Sequence, residues 1–247
     1  MGSGVDKWHN RKRYDFDMRR DAHLASGETY HIYNRGAHKQ RLFTCKEDYD
    51  RFLLLLHITN TTEPVDTRTL FEKYRGKPFV NIFTSEKPGK TLVDVLAFSL
   101  LSNHFHLILR QKADHGISTF LRKVLTGYSM YFNTKYTHSG ILSQGPFKSR
   151  HIDDQTYFRY IFSYVHLNPL DRLEPSWKMG VFANKDAAIH FLNTYRYSSF
   201  YDYFVAERPE RAILAYDERP DFLKTQNDLE EFLAWYAPPP LTKIGLL

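Results

Sequence analysis

A single cysteine, Cys45, occurs in 247 residues. Internal disulfides and any cysteine-rich zinc site are thereby excluded, and a reducing, cytoplasmic setting is the default expectation. No run of about 18 apolar residues is present, so neither a transmembrane helix nor a membrane partner is expected. The opening MGSGVDKWHNRKRYDF has no apolar stretch, so a secretory leader is not expected either. The chain also lacks GxxxxGK(S/T) and lacks GxGxxG after a strand. P-loop ATPases and dinucleotide-binding enzymes are therefore set aside.

What the chain does have is enough apolar residue for a core, 42% hydrophobic against 25% charged. Its formal net charge is +6. The charge is uneven: Glu207–Glu231 holds eight acidic and four basic residues, a balance of −4, which leaves +10 elsewhere. A basic body suits a polyanionic partner, because each Lys or Arg set against a phosphate releases counterions. Aromatics make up 16% of the chain, and exposed rings can stack on unpaired bases.

Residues 1–27 mix basic and acidic side chains without an apolar period and read as an irregular arm. Thr29–Asn34 (TYHIYN) reads as a strand, and Arg35-Gly36 ends it. Lys46–Ile58 places Tyr49, Phe52, Leu53 and Leu56 on one face and reads as a helix, with Thr44 as N-cap and Glu47 closing a capping box. Thr67–Tyr74 reads as a short helix, and Phe79–Phe83 and Val93–Leu100 as strands. His104–Arg110 follows as the return strand of a hairpin, and Ile117–Tyr136 has helical spacing. Phe147–Ile152 reads as a strand, and Asp153 or Asp154 caps a helix that runs to about Leu167 and stops at Pro169. Beyond it, Lys185–Thr194 and Asp228–Tyr236 have helical character.

The order β-α-β-β-α-β-α predicts an α+β chain: a ferredoxin-like antiparallel sheet with helices on one face, the other face left free for a site, and a mainly helical C-terminal extension.

Two features carry chemistry. His104-Phe105-His106 lies on an expected strand, so both imidazoles point to one face and form a clamp suited to a divalent metal. The helix Tyr157–Asn168 (YFRYIFSYVHLN) aligns Tyr157, Tyr160 and Tyr164, and Asn168 lies one turn past Tyr164. A tyrosine beside a metal suits attack on a phosphodiester, which leaves a covalent phosphotyrosine and cuts the strand without water. By spacing alone Tyr128 and Tyr131 are rival nucleophiles.

From Thr29 to Tyr203 the chain resembles the HUH single-tyrosine transposases of the IS200-like class, most closely the REP-associated branch. The resemblance is carried by Tyr30-His31-Ile32-Tyr33-Asn34-Arg35-Gly36, by Ser102-Asn103-His104-Phe105-His106-Leu107 and by Tyr131-Phe132-Asn133. It continues in Gln144-Gly145-Pro146-Phe147-Lys148-Ser149, Tyr164-Val165-His166-Leu167-Asn168-Pro169 and Tyr197-Ser198-Ser199-Phe200-Tyr201. It implies a nucleophile at Tyr164 and a divalent ion, Mg²⁺ or Mn²⁺, held by His104, His106 and Asn168. It implies single-stranded DNA with hairpin ends as partner, and a catalytic domain over residues 28–170 followed by an extension over 171–247. It leaves open a self-contained subunit or a homodimer that exchanges the tyrosine helix. Leu101-Ser102 stands where the family has Met-Pro, and Pro146 where it has arginine. Arg35, Arg110, Lys112, Arg122, Lys123, Lys148 and Arg150 are the candidate DNA contacts. The rival readings are a replication-initiator or relaxase-type nickase and a non-catalytic nucleic-acid binder whose open sheet stacks bases.

Overall fold

The computed structural model describes residues 24–86, 88–179, 182–224 and 232–233. The arm at 1–23 and the helix expected at Asp228–Tyr236, apart from Phe232 and Leu233, lie outside the described residues. Four strands form the sheet: β1 (Thr29–Arg35), β2 (Val93–Leu101), β3 (His104–Gln111) and β4 (Lys148–His151). Their order is β2-β3-β1-β4, with every pair antiparallel. This is the ferredoxin-like α+β arrangement expected from the element order.

Helix α1 (Lys46–Ile58) connects to two short helices, α2 (Thr67–Lys73) and α3 (Val80–Ser85). Two local expectations are corrected here. Phe79–Phe83 is not a strand: the chain there is the helix α3, with Ile82 and Phe83 buried, and so short an apolar run has no period that separates the two forms. The α1 cap is Cys45 rather than Thr44, and the box is closed by Asp48 rather than Glu47. The Asp48 carboxylate accepts from the backbone N–H groups of Thr44 (2.8 Å) and Cys45 (3.2 Å).

Helix α4 (Gly116–Tyr136) packs beside α1 on one face of the sheet. Their shared core takes Ile32 from β1, Val93, Val95, Phe98 and Leu100 from β2, and Phe105, Leu107 and Leu109 from β3. A bulge at Leu96 changes the phase of β2, since Val95 pairs with Leu109 but Ala97 pairs with Ile108. Leu96 and Ala97 therefore both serve the opposite face.

The opposite face, expected to be open, is partly roofed by helix α5 (Gln155–Leu167). Asp154 caps α5 by accepting from the Tyr157 N–H at 2.7 Å. Tyr157, Ile161, Phe162, Val165 and Leu167 then pack on Leu96, Ala97 and Ile108. Asn168 continues into a 3₁₀ turn, Asn168–Arg172, that accommodates Pro169 at its start. Helices α6 (Lys185–Thr194) and α7 (Phe200–Phe204) add to this second core. The extension also covers the edge of β2, because Leu100 N–H donates to Tyr197 O at 2.8 Å and Ser199 N–H donates to Phe98 O at 2.9 Å.

Candidate active site

The cleft lies where the sheet face meets the C-terminal end of α5. Antiparallel register places Tyr33 opposite His106 and Arg35 opposite His104, so all four side chains share the α5 face. Tyr33, Asn34, Arg35, His104, His106, Gln144, Lys148, Tyr164 and Asn168 line a space of about 610 Å³. Tyr164, His104, His106 and Asn168, far apart in the chain, thus meet in one place. The rings of His104 and His106 are 5.1 Å apart and nearly perpendicular, and Tyr164 meets the His106 ring edge-on at 5.4 Å.

Burial governs the protonation of this site. His106 lies well below the usual imidazole range because it is desolvated and faces His31 and His104. His104 is lowered by burial, with the Asn168 side chain opposing. Both rings are therefore neutral at neutral pH, the form in which imidazole binds metals. Burial pushes the Tyr164 phenol up to about 12, and the Asn168 amide beside the hydroxyl opposes that rise.

Among the described residues, no three His, Cys, Asp or Glu side chains converge as a metal cluster, so any ion here depends on two imidazoles and an amide. His104 Nδ1 lies 2.7 Å from Asn103 Oδ1, and His104 Nε2 lies 3.2 Å from Asn168 Oδ1. Both neighbours are amide oxygens, which only accept, whereas a neutral imidazole has one proton. With that proton on Nδ1, two lone pairs face each other across the His104–Asn168 contact. A cation shared by them resolves this, as does an Asn168 amide turned to donate. His106 Nε2 is buried without a hydrogen-bond partner among the described residues. Two nitrogens and one oxygen leave positions for water and phosphate oxygens, a mixed set that fits Mn²⁺ better than Mg²⁺, which prefers oxygen donors.

The rim is cationic. Arg35, Lys39, Lys148 and Lys178 line it with one carboxylate, Asp171, which accepts from Trp177 Nε1 (2.6 Å) and Lys178 Nζ (2.7 Å). The Arg35-Gly36 pair shapes it, since a Cβ on Gly36 would lie 2.2 Å from the Gln40 carbonyl oxygen. His38 and Lys39 then adopt left-handed backbone, with φ of 51° and 63°. The Gln144-Gly145 loop is pinned across the same end of β1: Gln144 N–H donates to Arg35 O at 2.7 Å, and Asn34 Nδ2 donates to Gly145 O at 3.2 Å.

Of the seven candidate DNA contacts, Arg35 and Lys148 line the cleft. Arg150 lies on β4 with its guanidinium over the Tyr157 ring, 4.9 Å from the centroid. The other four are placed elsewhere. Arg110 is held by Asp94 and Glu218, with contacts of 2.6 and 2.9 Å. Lys112 pairs with Asp94 at 3.2 Å. Arg122 is exposed on α4, across the sheet from the cleft. Lys123 donates to the Thr61 and Glu63 carbonyls at 2.6 and 2.8 Å and so secures that loop. Tyr128 and Tyr131, the rival nucleophiles, also belong to the α4 layer: Tyr128 donates to the Leu42 carbonyl and Tyr131 donates to Asp48. His31 and Asn103 fall within the sequence motifs but have no role assigned by them, and Asp171 and Lys178 fall outside those motifs. Of the four, only His31 carried a usable signal, lying two residues before Tyr33 and therefore on the same strand face.

No protein-family model and no curated protein matches this chain. Among solved structures it is similar to the "REP associates tyrosine transposase bound to a REP hairpin", with a TM-score of 0.45 and 14% identity, over 75% of this chain and 82% of that one. That likeness bears on neither the activity nor the ligands of this chain.

Proposed function

We propose that this protein cuts and rejoins single-stranded DNA through a covalent 5′-phosphotyrosine on Tyr164, as a transposase of the HUH single-tyrosine kind. The observation that carries this reading is the convergence of Tyr164, His104, His106 and Asn168 in one cleft with a cationic rim. In the reaction the Tyr164 hydroxyl oxygen attacks phosphorus and the P–O3′ bond breaks. The phosphate stays on tyrosine and the strand leaves as a 3′-hydroxyl, so one proton leaves the phenol and one reaches the departing oxygen. A later 3′-hydroxyl reverses the step, because the phosphotyrosine keeps the bond energy. Arg35 and Lys148 hold flanking phosphates, and packing against His106 and Trp177 orients the phenol. A bound Mg²⁺ or Mn²⁺ would polarise a non-bridging phosphoryl oxygen. Hairpin ends as substrates follow from the resemblance in the sequence motifs.

The base-stacking alternative needs an open sheet face, and here α5 and the fully buried Trp177 cover much of it. The deciding experiment incubates the protein with single-stranded DNA from its own gene flanks and Mn²⁺, then resolves products on a denaturing gel. A covalent protein–DNA band is expected from the wild type and from none of Tyr164→Phe, His104→Ala/His106→Ala or wild type in EDTA. Tyr164→Phe removes one hydroxyl and should cost about 1 kcal/mol of stability. A band of normal yield from that variant would overturn the assignment.

A further inference from the structure

We propose that His31 is a positioning residue for this cleft: its Nε2 accepts the Nδ1 proton of His106, and the His106 Nε2 lone pair is thereby left bare for a divalent cation. The proposal rests on the metal-dependent reading above and names what makes one half of the imidazole pair competent.

His31 is fully buried in β1, and its Nε2 lies 2.9 Å from His106 Nδ1. The two ring planes differ by only 18° with centroids 5.1 Å apart, so the contact runs close to the plane in which imidazole N–H groups and lone pairs lie. Strand register produces this meeting. Tyr33 stands opposite His106, and His31, two residues earlier on the same face, is its diagonal neighbour. Long side chains reach across that diagonal.

One proton sits between the two nitrogens, and the two assignments have different consequences. If His31 donates, a neutral His106 must carry its own proton on Nε2. That N–H would be buried without an acceptor among the described residues, and the ring would have nothing to offer a cation. If His106 donates, its Nε2 is a bare lone pair facing the cleft. The His31 proton then sits on Nδ1, which is also buried without a partner among the described residues, so each assignment strands one N–H, and a cation decides between them because only a bare His106 Nε2 can receive one. The companion ring has the same arrangement. His104 Nδ1 faces Asn103 Oδ1 at 2.7 Å, and an amide oxygen only accepts, so the His104 proton is also drawn to Nδ1. His31 and Asn103 therefore turn both Nε2 atoms into ligands. Partners behind metal-binding histidines commonly have this role.

An imidazole suits position 31 because the acceptor must sit inside an aromatic layer. The His31 ring stacks on Tyr33 at 5.2 Å and meets Tyr164 edge-on at 6.2 Å. His31→Phe preserves that packing and removes the acceptor. His31→Gln gives up the ring and returns an amide oxygen at similar reach. A purely packing role would favour Phe over Gln, and the proposed role favours Gln over Phe.

The test uses the full chain and Mn²⁺ alone, titrated at pH 7.5 by calorimetry or by electron paramagnetic resonance. Loss of affinity of about 10–100-fold is expected for His31→Phe, with His31→Gln recovering most of it. Long-range ¹H–¹⁵N spectra of the wild type with diamagnetic Mg²⁺ should show both His106 and His31 protonated on Nδ1. This second measurement decides the matter even if His31→Phe does not fold. Equal Mn²⁺ binding by wild type and His31→Phe, or His106 protonated on Nε2, overturns the role of His31. A wild type that binds no Mn²⁺ overturns the metal reading itself.

Discussion

Mild acid should unfold this protein before its carboxylates are titrated. His31 and His166 are fully buried, and burial holds both imidazoles down to about 3. His166 shows the cause in atomic detail. Its Nδ1 lies 2.9 Å from the Phe162 carbonyl, which only accepts, so Nδ1 carries the proton. Its Nε2 faces the Ser199 hydroxyl at 2.7 Å. The rings of Phe162, Phe200, Tyr203 and Phe232 close around it. A second proton would leave a charge in an aromatic cage, with the Ser199 hydroxyl, which can turn its own proton to the Phe98 carbonyl, as the one acceptor facing it. In the unfolded chain both rings titrate at about 6.5. Below that pH the unfolded state binds more protons than the native state. Stability is therefore complete above about 6.5 and falls toward 3, by about 1.4 kcal/mol per pH unit for each ring. Between pH 6.5 and 4.5 these two histidines remove about 5 kcal/mol, as much as the whole stability of many domains. Asp48, held down to about 2, does not contribute in this window. Urea unfolding in metal-free buffer, followed by tryptophan fluorescence between pH 7.5 and 4.5, measures the slope. His166→Gln should reduce it by about one proton. A midpoint that does not change over this range would refute the reasoning, as would an unaltered slope in His166→Gln.

Arg35→Ala and Lys148→Ala should each weaken binding of a flank-derived hairpin and flatten its salt dependence by about one unit, measured by fluorescence anisotropy. Arg122→Ala should leave affinity and slope unchanged, because its side chain lies across the sheet. Arg110→Ala should instead lower stability by about 1–3 kcal/mol in thermal melts, since it leaves the buried Asp94 carboxylate with Lys112 as its remaining cation and its Oδ2 without the Arg110 donors. Asp48→Ala should cost about 3–5 kcal/mol in the same assay, because the fully buried Asp48 carboxylate gathers Lys135 (2.7 Å), Tyr131 (2.9 Å) and Tyr136 (2.7 Å) onto the start of α1.

Much of this protein was legible from local pattern alone. Alternation along His104-Phe105-His106 is a property of any strand, so the shared direction of the two imidazoles needed no tertiary information. Helical spacing likewise set Asn168 one turn beyond Tyr164, and the order of elements was enough to infer a ferredoxin-like sheet. What the fold decided was proximity between distant segments. Three tyrosines aligned along α5, yet only Tyr164 reaches the cleft, because Tyr157 instead lies under Arg150. Tyr128 and Tyr131 matched by spacing but lie in the α4 layer, bonded to the Leu42 carbonyl and to Asp48. Charge was least legible of all, because whether a cation is available depends on acids remote in sequence. Glu218 lies more than a hundred residues from Arg110 and still holds it, while Arg35 is at the rim because the register of β1 against β3 sets it opposite His104. His31 belongs to the same class: its bond to His106 spans 75 residues and exists only through the register of β1 against β3. Side-chain direction follows from the backbone period that a short segment carries within itself, whereas partnership follows from long-range register and layer packing, which no local segment encodes.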